Sequence, residues 1–211
     1  MAKDFVAHNY DLRHLIRVIV KSSTYQLSSH IDGEWKEEYA SYFARRLIRR
    51  LTAEELCDAI QQATDVFSDI PIVASLVKVQ RVFQTRSPED IAGEELRPMQ
   101  SFLIGFGINN RDKGDKDRSV SMVQVSMMMN GKFVKDRIRV NEKSRMGKLL
   151  YHDPPLSNEA IVEEMFLAFL SRPPDSKEKK VAVTTLENYH SQGMEDLAWS
   201  LLNKPDFIFS Y

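Results

Sequence analysis

The chain has 211 residues, of which 43% are hydrophobic and 28% charged, and its formal net charge is −1. That length suits one large domain or two small ones with most apolar surface buried, and the composition is that of an ordinary globular protein. The near-neutral balance gives no electrostatic footing for nucleic acid or an anionic membrane surface, and no apolar run approaches the roughly 20 residues of a membrane helix.

The opening MAKDFVAHNYDL lacks the apolar core of a signal peptide. Asp11 then caps a predicted helix in which Leu12, Leu15, Ile16 and Ile19 form a core stripe, with Arg13, Arg17 and Lys21 on the wet side. Residues 22–29 are a hydroxyl-rich break around Tyr25. Residues 39–51 read as a helix with a basic face of Arg45, Arg46, Arg49 and Arg50. Those arginines invite a phosphate, while Glu37, Glu38, Glu54 and Glu55 stand ready to neutralise them.

Thr52 to Glu55 spells a capping box, in which the Thr hydroxyl meets the Glu55 N–H and the Glu side chain returns to the cap. The helix it opens turns Leu56, Ala59, Ile60, Ala63 and Phe67 inward. Cys57, the only cysteine, sits beside that face as a small core residue. Pro71 interrupts the pattern. Residues 72–85 fit strand alternation and helical period equally well, so one short extended segment is expected there.

Met99, Phe102, Leu103 and Phe106 fall at helical spacing, with Pro98 in the first turn and Gly107 as a left-handed cap. Residues 109–117 contain nothing apolar and could not be buried without stranding charge. Ser119 or Ser121 caps a second helix whose stripe is Met122, Val125 and Met129. The intervening loop admits three readings. Asn110, Asp112, Asp115 and Asp117 offer oxygens to calcium, although the spacing misses an EF-hand and basic residues intervene. Asn110, Arg111, Asp117 and Arg118 could bind an anionic or sugar ligand, and the plainest reading is a solvated connection.

FVKDRIRV and SRMGKLLYH read as short helices, ended by Asp153-Pro154-Pro155. Ser157 caps a helix that is apolar nearly all round from position 160 to 170, hence central and buried, with Glu163 and Glu164 at its solvent edge. Asp175 and Glu178 can box the next helix, which Gly193 is expected to break. Leu197, Ala198, Leu201 and Leu202 form the last stripe before an aromatic tail, Phe207, Phe209 and Tyr211, that should pack down on the body. His8, His14, His30, His152 and His190 show no metal-ligand spacing. There is no haem-attachment Cys-x-x-Cys-His, nucleophile elbow, P-loop or dinucleotide fingerprint.

Phe106-Gly107, Asn110-Arg111, Asp117-Arg118-Ser119 and Met128-Met129-Asn130 resemble, in order, the signature of the planctomycete surface domain, a bacterial domain of unknown function. DLRHLIRVIVKSSTYQLSS, RRLTAEELCDAI, LAFLSRPPDSKEKK and DLAWSLLNKPDFIFS extend the resemblance over nearly the whole chain. Asp115-Lys116-Asp117 stands where many members carry Cys-x-Cys, so no role of those cysteines carries over. The resemblance implies a C-terminal domain of a larger exported protein, often accompanied by a cytochrome c module that would bear any haem.

The expectations are therefore a single all-α domain over residues 1–211, of about eight irregular helices. It would serve as a non-catalytic interaction or scaffold module outside the cytoplasm. The alternative is a module of a carbohydrate-directed enzyme that needs upstream domains. No catalytic residue, metal ligand or cofactor is assigned within the chain. Partners would be other domains of the same polypeptide, a protein or a carbohydrate, with neither nucleic acid nor membrane insertion.

Overall fold

Most of the helices begin where a short polar side chain closes the first turn, satisfying backbone donors that the helix itself leaves open. The computed structural model describes residues 1–29, 33–71, 77–85, 91, 93–107 and 121–210. Asp11 accepts from the Arg13 and His14 N–H groups and starts α2 (Leu12–Val20), which follows the short α1 (Ala2–Ala7). Thr52 and Glu55 make the full capping box of α3 (Ala53–Thr64). Pro98 lies in the first turn of α4 (Arg97–Gly105), and Gly107 follows it at φ 93°, left-handed as its position requires. Ser121 boxes with Gln124 to open α5 (Met122–Asn130), which is followed by α6 (Lys132–Arg137). Ser144, Ser157 and Asp175 cap α7 (Arg145–Leu150), α8 (Asn158–Leu170) and α9 (Ser176–Leu202), and α10 (Pro205–Ile208) closes the series. The fold is all-α. Among the described residues strand is limited to two-residue pieces, including Ile70–Pro71 antiparallel to Lys78–Val79.

Two compact units make up the chain. The second, Arg50–Ile208, holds every buried apolar side chain among the described residues. There α3 packs against α4, α6, α7 and α8, and α8 against α9 and α10. Leu56, Cys57 and Ile60 are fully buried on α3, and burying a Leu or Ile side chain contributes about 1.5–3 kcal/mol. The Phe102 ring stacks on Phe106 at 4.5 Å and tilts against Phe133 at 4.9 Å. The unit's two ends meet, because the Leu51 N–H donates to the Ile208 carbonyl at 3.0 Å.

The first unit is Met1–Arg49 with Phe209–Tyr211, and none of its described residues is buried. Here the expected core stripe of α2 fails, since Leu12 is 65% and Ile16 58% exposed. The helix is amphipathic as read, but its apolar side is only partly covered, with Leu15 and Ile19 half-buried. The predicted helix over residues 39–51 is also absent. A 3-10 turn spans Glu37–Tyr42 and ends at Phe43 with φ 51°, and the chain beyond it is irregular. Side-chain and backbone demands from elsewhere hold it out of helix: Arg45 stacks over Trp35 at 3.8 Å, and the Arg46 N–H donates to Ser28.

Other differences have local causes. The stripe Met122, Val125 and Met129 faces outward, with Met122 83% exposed, while Gln124 and Met128 point inward. Gln124 takes the Arg50 guanidinium at 2.5 Å, and that contact fixes which side of α5 turns in. α8 is buried on one side only, with Leu167 and both glutamates outside. α9 breaks not at Gly193 but at His190, whose φ of 45° and ψ of −115° are non-helical. Gly193 serves the packing, since a Cβ there would meet the Thr185 carbonyl oxygen at 2.6 Å. The extended segment expected over residues 72–85 is seen at Lys78–Val79, then gives way to a 3-10 turn at Val82–Gln84; residues 72–76 lie outside the described residues. In the tail, Phe207 is buried against Phe169, Phe209 is half-buried, and Tyr211 lies outside the described residues.

Candidate functional site

The four loop residues singled out in the sequence, Asn110, Arg111, Asp117 and Arg118, lie outside the described residues, as do Asp112 and Asp115. The basic run is absorbed into structure. Arg45 lies on Trp35, Arg46 donates to Ser210 Oγ at 2.6 Å, and Arg50 to Gln124. No phosphate cradle is built from those three.

The second unit contains a buried polar network. Asp58 accepts from the Val82 N–H at 2.8 Å and the Phe83 N–H at 3.3 Å, clamping the 3-10 turn onto α3. Desolvation raises the Asp58 pKa, and those two donors pull it back. Arg137 donates to the Phe133 carbonyl, Ser68 Oγ and Gln61 Oε1 while its guanidinium lies 3.7 Å over the Phe133 ring. Burial pushes its pKa down to about 10, so it stays charged at neutral pH. The Cys57 thiol, buried beside this network, is pushed up by desolvation, which leaves it protonated and inert.

A cavity of about 410 Å³ opens where α8 and the two halves of α9 meet, walled by Phe166, Val181, Ala182, Leu197 and Leu201. At its edge Glu178 and Lys204 bind each other at 2.8 Å, and Asp196 accepts from Gln192 at 2.9 Å. Glu178, Lys204 and Asp196 are each paired, and the cavity they edge is walled by apolar side chains.

The first unit gathers three potential ligands that the sequence reading passed over. Asn9 and Tyr10 adopt φ of 54° and 60°, reversing the chain between α1 and α2. This brings His14 back onto α1. His14 Nε2 lies 2.9 Å from Asp4 Oδ2, while His8 Nδ1 lies 2.8 Å from the Asp4 carbonyl oxygen and 3.4 Å from Oδ1. The two imidazole rings stack at 3.7 Å, only 12° from parallel. One ligand atom from each of the three residues lies within 4.8 Å of the others. The His14 hydrogen bond holds the Asp4 carboxyl below its ordinary pKa. Asp4 on α1 and His8 at its C-terminal cap are four apart, a spacing visible in the sequence; His14 needed the reversal.

Fold and site together define an all-α protein with one well-cored helical unit and one coreless unit that carries a histidine–aspartate cluster. The chain belongs to the PSD1 family of proteins of unknown function (DUF1553), whose family model matches residues 1–186. No curated protein and no solved structure matches it. No helix among the described residues is long and apolar enough to cross a membrane.

Proposed function

We propose that the chain is a non-catalytic interaction module in which the first unit docks on an apolar protein surface and the second is its scaffold. One observation carries this reading. The first unit buries none of its described side chains, yet it displays eleven of the twenty-two exposed large hydrophobic residues among those described. Scattered exposed apolar residues are ordinary, but a helix whose apolar stripe has no buried member and two exposed ones marks an unmet contact. On α2 that stripe includes Leu12 and Ile16 one turn apart.

The partner is another domain of the same polypeptide, in the extracytoplasmic setting that the resemblance implies. The test replaces Ile16 by a photoreactive aliphatic residue in the protein as its host makes it, followed by peptide mass spectrometry after illumination. The expected product is one discrete cross-link to a peptide outside residues 1–211, abolished by Leu12→Asp. Cross-links confined to this chain, or adducts with solvent alone, would overturn the reading.

A further inference from the structure

We infer that Asp4, His8 and His14 form a site for a zinc-like divalent transition-metal ion. The donor set is two imidazoles and one carboxylate, the mixture that suits zinc, nickel or copper, whereas calcium and magnesium take oxygen donors. Two of the three separations agree, and the third, between the two imidazole nitrogens, lies within 4.8 Å. With bonds of about 2.0–2.1 Å, the edge of a tetrahedral site is about 3.3 Å, and the carboxylate lies 2.9 Å from the His14 nitrogen and 3.4 Å from the His8 nitrogen. Three protein ligands leave a fourth position for water or a further ligand.

The rings stack nearly parallel, so their in-plane lone pairs do not yet converge. A bound ion would turn them toward one point. That rotation is open to the half-exposed His8 and small for His14, which already points at Asp4. His8 Nδ1 would give up its contact with the Asp4 carbonyl in taking the ion.

The setting gives such an ion something to do. α1 has six residues and α2 nine, neither has a buried residue, and the unit they open has no core. Small units that cannot bury enough apolar surface are commonly completed by a metal. An ion held by Asp4 on α1, by His8 at its C-terminal cap and by His14 on α2 would pin the two helices across the reversal. The inference does not depend on the docking proposal, because Leu12 and Ile16 take no part in the site.

The experiment titrates the complete untagged chain with Zn²⁺ against a chromophoric chelator at neutral pH, with amide hydrogen exchange as a second readout. One ion per chain is expected. His14→Ala and Asp4→Asn should each weaken binding at least tenfold, and His152→Ala should leave it unchanged. Zn²⁺ should slow exchange across α1 and α2 in the unsubstituted chain but not in His14→Ala. The circular dichroism of the second unit's helices serves as the folding control. Absence of stoichiometric binding, binding equally tight in the correctly folded His14→Ala, or slowed exchange elsewhere than α1 and α2 would each overturn the assignment.

Discussion

Four donors meet the two oxygens of Glu178: both terminal nitrogens of Arg172 at 2.8 and 2.9 Å, Lys204 Nζ at 2.8 Å, and the Asp175 N–H at 2.9 Å. Arg172 also reaches Asp206 at 2.6 Å, so the start of α9 is tied to α10 through charge-assisted bonds. The Arg172 contact, more than any other, holds the Glu178 carboxyl well below the usual glutamate range. A lowered folded pKa means stability present above the unfolded value and lost as pH falls through and below it. Glu178→Gln should therefore cost about 2 kcal/mol at pH 7, and the gap should narrow as pH drops below about 4. Urea unfolding across that range checks it; a gap that does not change with pH would sink the argument. The capping role of Glu178 was legible because Asp175 is three residues away. Its partner Lys204, and the link through Arg172 to Asp206, were not, since spacing in sequence says nothing of contacts closed by the fold. The same limit hid His14 from Asp4 and His8.

At the scale of elements, caps were readable and faces were less so. Capping is a bargain between neighbours, which is why Asp11, Thr52, Ser121, Ser157 and Asp175 open helices where the sequence placed them. An apolar stripe says only which side would prefer burial. On α3 and α4 the preference is met, on α2 it is not, and on α5, where Arg50 binds the inward Gln124, Met122 and Met129 face outward. Gly193 offers a test in which two effects have opposite signs. Helix propensity alone favours Gly193→Ala by about 1 kcal/mol. The Thr185 carbonyl, 2.6 Å from the added Cβ, should instead make it destabilising by about 1–3 kcal/mol. A rise in Tm would show that the two halves of α9 pack less closely than described.

For the whole molecule, the contrast between the units predicts uneven stability. Local opening is easiest where few apolar contacts must break. In the isolated chain without added metal, amides of α2 should exchange orders of magnitude faster than those of α3 and α8, by mass spectrometry of the intact protein and its peptides. Equal protection would contradict the absence of buried residues among those described before Arg50.

The bond between Leu51 and Ile208 has a topological consequence. The second unit begins and ends at adjoining points, although 158 residues separate them in sequence, roughly one domain's length. Chains with neighbouring ends tolerate transplantation and circular permutation, because a short linker can close them without stretching the body. The same geometry allows the well-cored unit to be gained, lost or exchanged as one piece, while the exposed segment and its three-residue tail remain a single flanking frame.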